Sequence, residues 1–156
     1  MTETIVHIPR LDTDRLILRP PAAQDTGPIL AFLGTPRAEF YGGPMNANDA
    51  WKKLAIYAGQ WLLRGYGMFT LTRRDTGETI GMAGPYHPQD FPEPELSWLL
   101  TDPAQEGHGY ASEACAAILT HLFTDLGWAH VVSYIDRANT ASLGEMCTGA
   151  RYSRGS

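Results

Sequence analysis

Glu95-Leu96-Ser97-Trp98-Leu99-Leu100, followed after Pro103 by Gly107-His108-Gly109-Tyr110-Ala111-Ser112-Glu113-Ala114, decides how this chain is to be read. The first six residues carry the apolar and aromatic side chains of a strand. From Tyr110 to Leu126 the apolar residues Ala111, Ala114, Cys115, Ile118, Leu119 and Leu122 recur at three- and four-residue intervals, the stripe of a helix with one buried face. Between strand and helix stand two glycines flanking His108. Glycine lets the backbone take φ > 0 and come close to a ligand with no Cβ in the way. The first helical N–H groups lack internal partners and lie at the positive end of the helix dipole. Strand, glycine turn and helix together make an anion site shaped for a pyrophosphate. Two other readings fit the spacing: a tight turn with no ligand, and a dinucleotide-binding unit.

Outward from this junction the order of elements takes shape. On the N-terminal side, Asp14-Arg15-Leu16-Ile17-Leu18-Arg19 alternates Leu16 and Leu18 against Arg15, Ile17 and Arg19, a strand with one buried face that stops at Pro20-Pro21. Residues 24–33 are a short helix candidate. Ala50 to Arg64 is the clearest amphipathic helix, with Trp51, Leu54, Ala55, Ala58, Trp61 and Leu62 as its stripe, Asn46 or Asn48 as cap, and Gly65 and Gly67 at its end. Met68 to Thr72 and Thr79 to Gly84 read as two arms of a hairpin turning through residues 73–78. His87 to Pro94 holds three prolines and reads as an exposed loop. Beyond the central helix, His130 to Asp136 is a strand and Asn139 to Thr148 a short helix. Strands in a meander followed by a strand-helix-strand unit define a mixed α/β layout in a single domain over residues 1–156.

Composition narrows the function. The chain has 156 residues, 44 % apolar and 19 % charged, the profile of an ordinary globular domain. A net charge of −5 argues against nucleic acid as partner and leans toward a basic substrate. No apolar run reaches the ~18 residues of a membrane helix, and the N-terminus lacks a secretory signal. Cys115 and Cys147 suggest neither a disulfide framework nor a zinc site, so a reducing cytoplasm is the expected location and no metal is expected. Of the dinucleotide fingerprint, Gly107-x-Gly109-x-x-Ser112 lacks the third glycine, and only one strand-helix-strand unit is available. Asp136 stands where a ribose-binding acid would be.

Taken together, these blocks resemble the GNAT superfamily of N-acetyltransferases, and within it the Rim-type ribosomal-protein N-terminal acetyltransferases. Thr13-Asp14-Arg15-Leu16-Ile17-Leu18-Arg19 is similar to that group's first strand. The Glu95 to Leu100 strand, the glycine turn and the following helix are similar to its central strand, pyrophosphate loop and helix. Asn139-Thr140-Ala141-Ser142 is similar to the Asn-x-x-Ser that opens its last helix. Glu106 departs from the Arg or Gln often found three residues before Gly109 in the superfamily. The resemblance implies a largely antiparallel central sheet with a splayed parallel pair and flanking helices. Gly149-Ala150-Arg151-Tyr152 resembles the start of the penultimate strand, and the closing C-terminal hairpin is expected to be missing.

The resemblance also implies the chemistry. Acetyl-CoA is expected as cosubstrate, its pantetheine arm along the edge of Trp98, Leu99 and Leu100 and its pyrophosphate on the N–H groups around Gly107, His108, Gly109, Tyr110 and Ala111. A neutral amine would attack the thioester directly. Glu95 is the candidate base, acting directly or through water. Ser142 is the candidate for protonating or positioning the leaving sulfur, where many relatives use tyrosine. Asn139 is expected to contact the pantetheine amide, to cap the helix that follows, or both. His87 is a further candidate on the acceptor side, Tyr41 and Trp51 are candidate pocket walls, and Trp51 also fits the core. The helices at 24–33 and 50–64 are expected to border the acceptor pocket. Expected acceptors are a protein N-terminus or a small primary amine, and a homodimer is compatible with such a domain. The alternative is a non-catalytic acyl-CoA-binding module of the same fold.

Overall fold

The computed structural model describes residues 2–136, 139 and 151–155. One seven-stranded sheet runs in the order β1 (Leu11–Asp12), β2 (Leu16–Arg19), β3 (Phe69–Arg73), β4 (Thr79–Tyr86), β5 (Glu95–Leu100), β6 (Val132–Asp136) and β7 (Arg151–Gly155). Neighbours are antiparallel through β5, and the β5–β6 and β6–β7 pairs are parallel. The mixed α/β layout expected from the sequence is thus present, including the parallel pair. β7 lies directly against β6, and the last-helix residues 140–148, with Ser142, fall outside the described residues.

Two apolar clusters sandwich the sheet. On one face α3 (Tyr110–Thr120) lays Ala111, Ala114, Cys115, Ile118 and Leu119 against Leu16, Leu18, Leu71 and Trp98. Every residue of the expected stripe, Leu122 included, is buried, because small residues at these intervals let the helix approach the sheet closely. The helix widens into a π-helical turn at His121–Asp125 and ends before Gly127 (φ 70°). The other face is covered by α1 (Thr26–Leu33) and α2 (Ala47–Arg64), which bury Ile29, Leu33, Leu54 and Tyr57 on Met68, Met82 and Leu99. Asn46 caps α2 by accepting the Asp49 N–H at 2.8 Å, and Gly65 ends it in a left-handed conformation.

The buried stripe of α2 differs from the expected one. Ala50, Leu54, Tyr57 and Trp61 face the sheet, whereas Trp51 is 55 % and Leu62 is 65 % exposed, and Ala55 and Ala58 are exposed with them. Trp51 is therefore not core. Two apolar stripes one residue apart run along this helix, since Gln60 is the only polar residue between Leu54 and Leu63. Periodicity alone gives both stripes equal weight. Tyr57 settles the choice by packing edge-on against Tyr86 of β4, with ring centroids 5.4 Å apart.

One buried charge organises the sheet edge. Asp25 is fully buried in a 3₁₀ turn at Ala23–Asp25. It accepts bonds from Arg19 (2.7 and 3.0 Å), Thr70 (2.7 Å), Thr79 (3.1 Å) and the Ala22 N–H (2.8 Å). Burial pushes its carboxyl up, but the hydrogen bonds from Arg19, Thr70 and Ala22 outweigh this and hold it below the usual aspartate value.

Candidate active site

β5 is the spine of the site. Its neighbour β6 pairs with it only at Glu95↔Val132, reinforced by Ser133 donating to the Leu96 carbonyl at 2.8 Å. Beyond that point the two strands part. The Leu96, Trp98 and Leu100 carbonyls point to the β6 side, because they accept bonds from Ser133, Tyr41 and Arg37 there. Successive strand residues alternate, so the Leu99 backbone points toward Met82 of β4, and its side chain lies in the α1/α2 core. Of the expected edge residues, Trp98 and Leu100 face the opening; Leu99 does not.

A cleft of about 520 Å³ opens where the strands part. Glu95, Ser97 and Trp98 line it from β5, Ser133 and Ile135 from β6, and Asn139 just after β6. Its outer wall comes from two further elements; the sequence points to Tyr41 and α2 at the pocket, but not to the neighbours of Tyr41. A 3₁₀ helix at Pro36–Tyr41 brings Glu39, Phe40 and Tyr41, and α2 brings Lys53 and Tyr57. The expected border at α1 is absent from the described lining, while Tyr41 takes the wall position expected of it. Tyr41 donates to the Trp98 carbonyl at 2.5 Å. Trp98 is 4 % exposed, and its indole Nε1 has no acceptor among the described residues.

Within the cleft Glu95 is electrostatically unusual. Burial, then the neighbouring Glu93, raises its carboxyl pKa from 4.5 to about 6. It is therefore mostly a carboxylate at neutral pH, yet basic enough to take a proton. His87 has both ring nitrogens engaged in hydrogen bonds. Its Nε2 lies 3.1 Å from the Phe91 carbonyl, so it donates there, and its Nδ1 lies 2.6 Å from the Tyr66 hydroxyl. Its backbone N–H donates to Gln60 at 2.8 Å. This histidine pins the 87–94 loop, and it does not line the cleft.

At the C-terminal end of β5 the chain reaches the glycine turn. Gly107 (φ 78°) and Gly109 (φ 79°) are both left-handed, and Gly109 is the N-cap of α3. A Cβ would meet open space at Gly107, and at Gly109 only Arg15, at 3.5 Å. Gly107, His108 and Gly109 are exposed, whereas Tyr110 and Ala111 are buried. A clamp holds the turn in place. Glu113 receives bonds from Thr13 (2.6 Å), the Arg15 N–H (3.1 Å) and the Arg15 guanidinium (2.8 Å). Arg15 also donates to the His108 carbonyl at 2.9 Å and lies 4.4 Å from the centre of the Tyr110 ring. Glu106, at the position expected to hold Arg or Gln, is paired with Arg37 at 2.6 Å.

The acetyltransferase (GNAT) domain matches residues 15–146. The chain belongs to the GNAT acetyltransferase family. An acetyltransferase from Agrobacterium tumefaciens shares 35 % identity and a TM-score of 0.84, over 93 % of this chain and 84 % of that one. A Bacillus subtilis protein described as the uncharacterized N-acetyltransferase YoaA is 28 % identical over 86 % of this chain and 77 % of its own length. A putative ribosomal-protein-serine acetyltransferase from Vibrio cholerae, 19 % identical with a TM-score of 0.70 over 87 % of this chain and 79 % of that one, shares the fold.

GNAT enzymes are acetyl-CoA-dependent N-acetyltransferases; in this GNAT domain two exposed glycines flank His108 just before α3, and β6 leaves the edge of β5 open beyond Glu95. Among the described residues no group of histidine, cysteine or carboxylate side chains is arranged to hold a metal, and no helix is long and apolar enough to cross a membrane.

Proposed function

We propose that this GNAT domain transfers an acetyl group from acetyl-CoA to a primary amine by direct attack, with Glu95 as the base. The observation that carries this reading is the position of Glu95. A carboxylate with a pKa of about 6 lies in the cleft, at the start of the strand whose far end leads to the glycine nest.

Each step falls to a named group. Gly107, Gly109 and the first N–H groups of α3 hold the pyrophosphate, with His108 beside them. The backbone of Trp98 and Leu100 aligns the pantetheine arm as an added strand. Glu95 accepts the proton of the incoming ammonium, directly or through one water; the neutral nitrogen adds to the thioester carbonyl, and as the C–S bond breaks the nitrogen gives up its second proton, to the departing thiolate or to solvent. Asn139, which lines the cleft, contacts the pantetheine amide. Ser142 is retained as the group that positions or protonates the departing sulfur, on the strength of the Asn-x-x-Ser spacing alone.

The test is release of free thiol from acetyl-CoA in the presence of a panel of primary amines. Amine-dependent release supports the reading. Acetyl-CoA binding without release from any amine would instead make the domain an acyl-CoA-binding module.

A further inference from the structure

Among the described residues Lys52, Lys53 and Arg64 have no carboxylate within salt-bridge distance, and of these three Lys53 is the one that lines the cleft. Arg10, Arg15, Arg19, Arg37, Arg73 and Arg74 each sit within salt-bridge distance of a carboxylate. Among the described residues Lys53 has no such partner. Its ammonium donates to the neutral Tyr86 hydroxyl at 3.0 Å and lies 4.5 Å from the centre of the Tyr86 ring and 5.7 Å from that of Tyr57. Packing on aromatic faces explains why the side chain lies where it does. It does not explain why a half-buried cation in the wall of the cleft is left without an anion.

The register of the sheet places this cation relative to the base. Tyr86, which anchors Lys53, is the cross-strand partner of Glu95. Directly opposed residues of an antiparallel pair share a face, with Cβ atoms about 5 Å apart. Lys53 and Glu95 therefore line one stretch of the same cleft, yet no salt bridge joins them. A proton acceptor and a separate fixed cation stand together, with Tyr57, Tyr86 and Phe91 beside them.

We infer that the acceptor is an amine that also carries a carboxylate, an α-amino acid or a molecule of that design, with Glu95 at its amino group and Lys53 at its carboxylate. This rests on the proposed acetyl transfer and adds the class of acceptor. A polycationic acceptor would bring its second charge toward Lys53 and be repelled. A simple alkylamine would leave the lysine unmatched.

The experiment compares matched pairs, L-phenylalanine with 2-phenylethylamine and L-leucine with 3-methylbutylamine, by thiol release at equal concentrations of neutral amine. A charge-assisted hydrogen bond to the carboxylate is worth roughly a factor of 10 to 100. The wild-type ratio of kcat/KM, acid-bearing over plain amine, should therefore exceed about 10 and arise mainly in KM. In Lys53→Met the ratio should fall to near 1, and in Lys53→Arg it should stay well above 1. Because each ratio is taken within one variant, a general loss of folded protein cancels. A wild-type ratio at or below 1, or a ratio unchanged in Lys53→Met, overturns the inference while leaving acetyl transfer intact. Absence of thiol release from every amine overturns both.

Discussion

Glu95 has to hold a proton briefly and then release it, and its surroundings set how well it can. Burial and Glu93 raise its pKa to about 6, so the carboxylate is the major form at pH 7 and its protonated form takes over below pH 6. Activity that depends on an unprotonated base must then fall as the pH drops through 6, and kcat/KM should lose about tenfold per unit below that point. Glu95→Gln should lower kcat by roughly 10² to 10⁴ and remove this acid limb. Stability should move the other way. A carboxyl whose folded pKa is raised binds protons more tightly in the folded state, so its contribution favours folding at low pH and is lost as the pH rises through 6. Replacing the carboxylate by a neutral amide should therefore leave the melting temperature at pH 7 unchanged or higher. A Glu95→Gln protein with wild-type kcat and an intact acid limb would remove Glu95 from the chemistry.

The elements depend on a few polar contacts between segments far apart in sequence. Arg19 of β2, the 3₁₀ turn at Asp25, and Thr70 and Thr79 of β3 and β4 meet in one buried knot. Removing the Asp25 carboxylate leaves Arg19, 19 % exposed, with its charge uncompensated. Asp25→Ala should destabilise the fold by about 3–5 kcal/mol, measured by urea unfolding. Because the folded pKa is lowered, the stabilisation is present above the ordinary aspartate range and is lost as the pH falls through the folded value. The cost of Asp25→Ala should shrink correspondingly in acid; a cost below about 1 kcal/mol at pH 7 would mean that the knot is incidental.

At the scale of the whole molecule, the sheet and its two layers follow from patterns that the sequence displays openly. The Glu95 to Leu100 strand has the bounds expected of it, and the stripe of α3 is buried as expected, because small and branched residues at helical spacing leave one face to bury. Much of the cleft wall was not legible. The 3₁₀ helix at Pro36–Tyr41 has no 3.6-residue period to reveal it, so the neighbours of Tyr41, and Arg37 beside Glu106, went unnoticed. α2 carries two apolar stripes, and the sequence favoured the one holding Trp51; only the position of Tyr86 shows that Tyr57 and Lys53 turn toward the cleft. Asp25 reads in sequence as an ordinary acid in the first turn of the 24–33 helix candidate, since none of its partners beyond Arg19 and Ala22 is near it along the chain.

The central claim is that the nest at Gly107 and Gly109 holds the phosphates of acetyl-CoA at the end of the open β5 edge. Calorimetric titration of acetyl-CoA into wild type, Gly109→Ala and Gly109→Asp tests it most directly. Both substitutions place a Cβ on a left-handed residue, a conformation that aspartate tolerates at least as well as alanine, and only aspartate adds a negative charge where phosphate is expected. Like-charge juxtaposition costs several kcal/mol, so Gly109→Asp should bind at least about 100-fold more weakly than Gly109→Ala. Equal affinities for the two variants, or no binding of acetyl-CoA by the wild type, would contradict it.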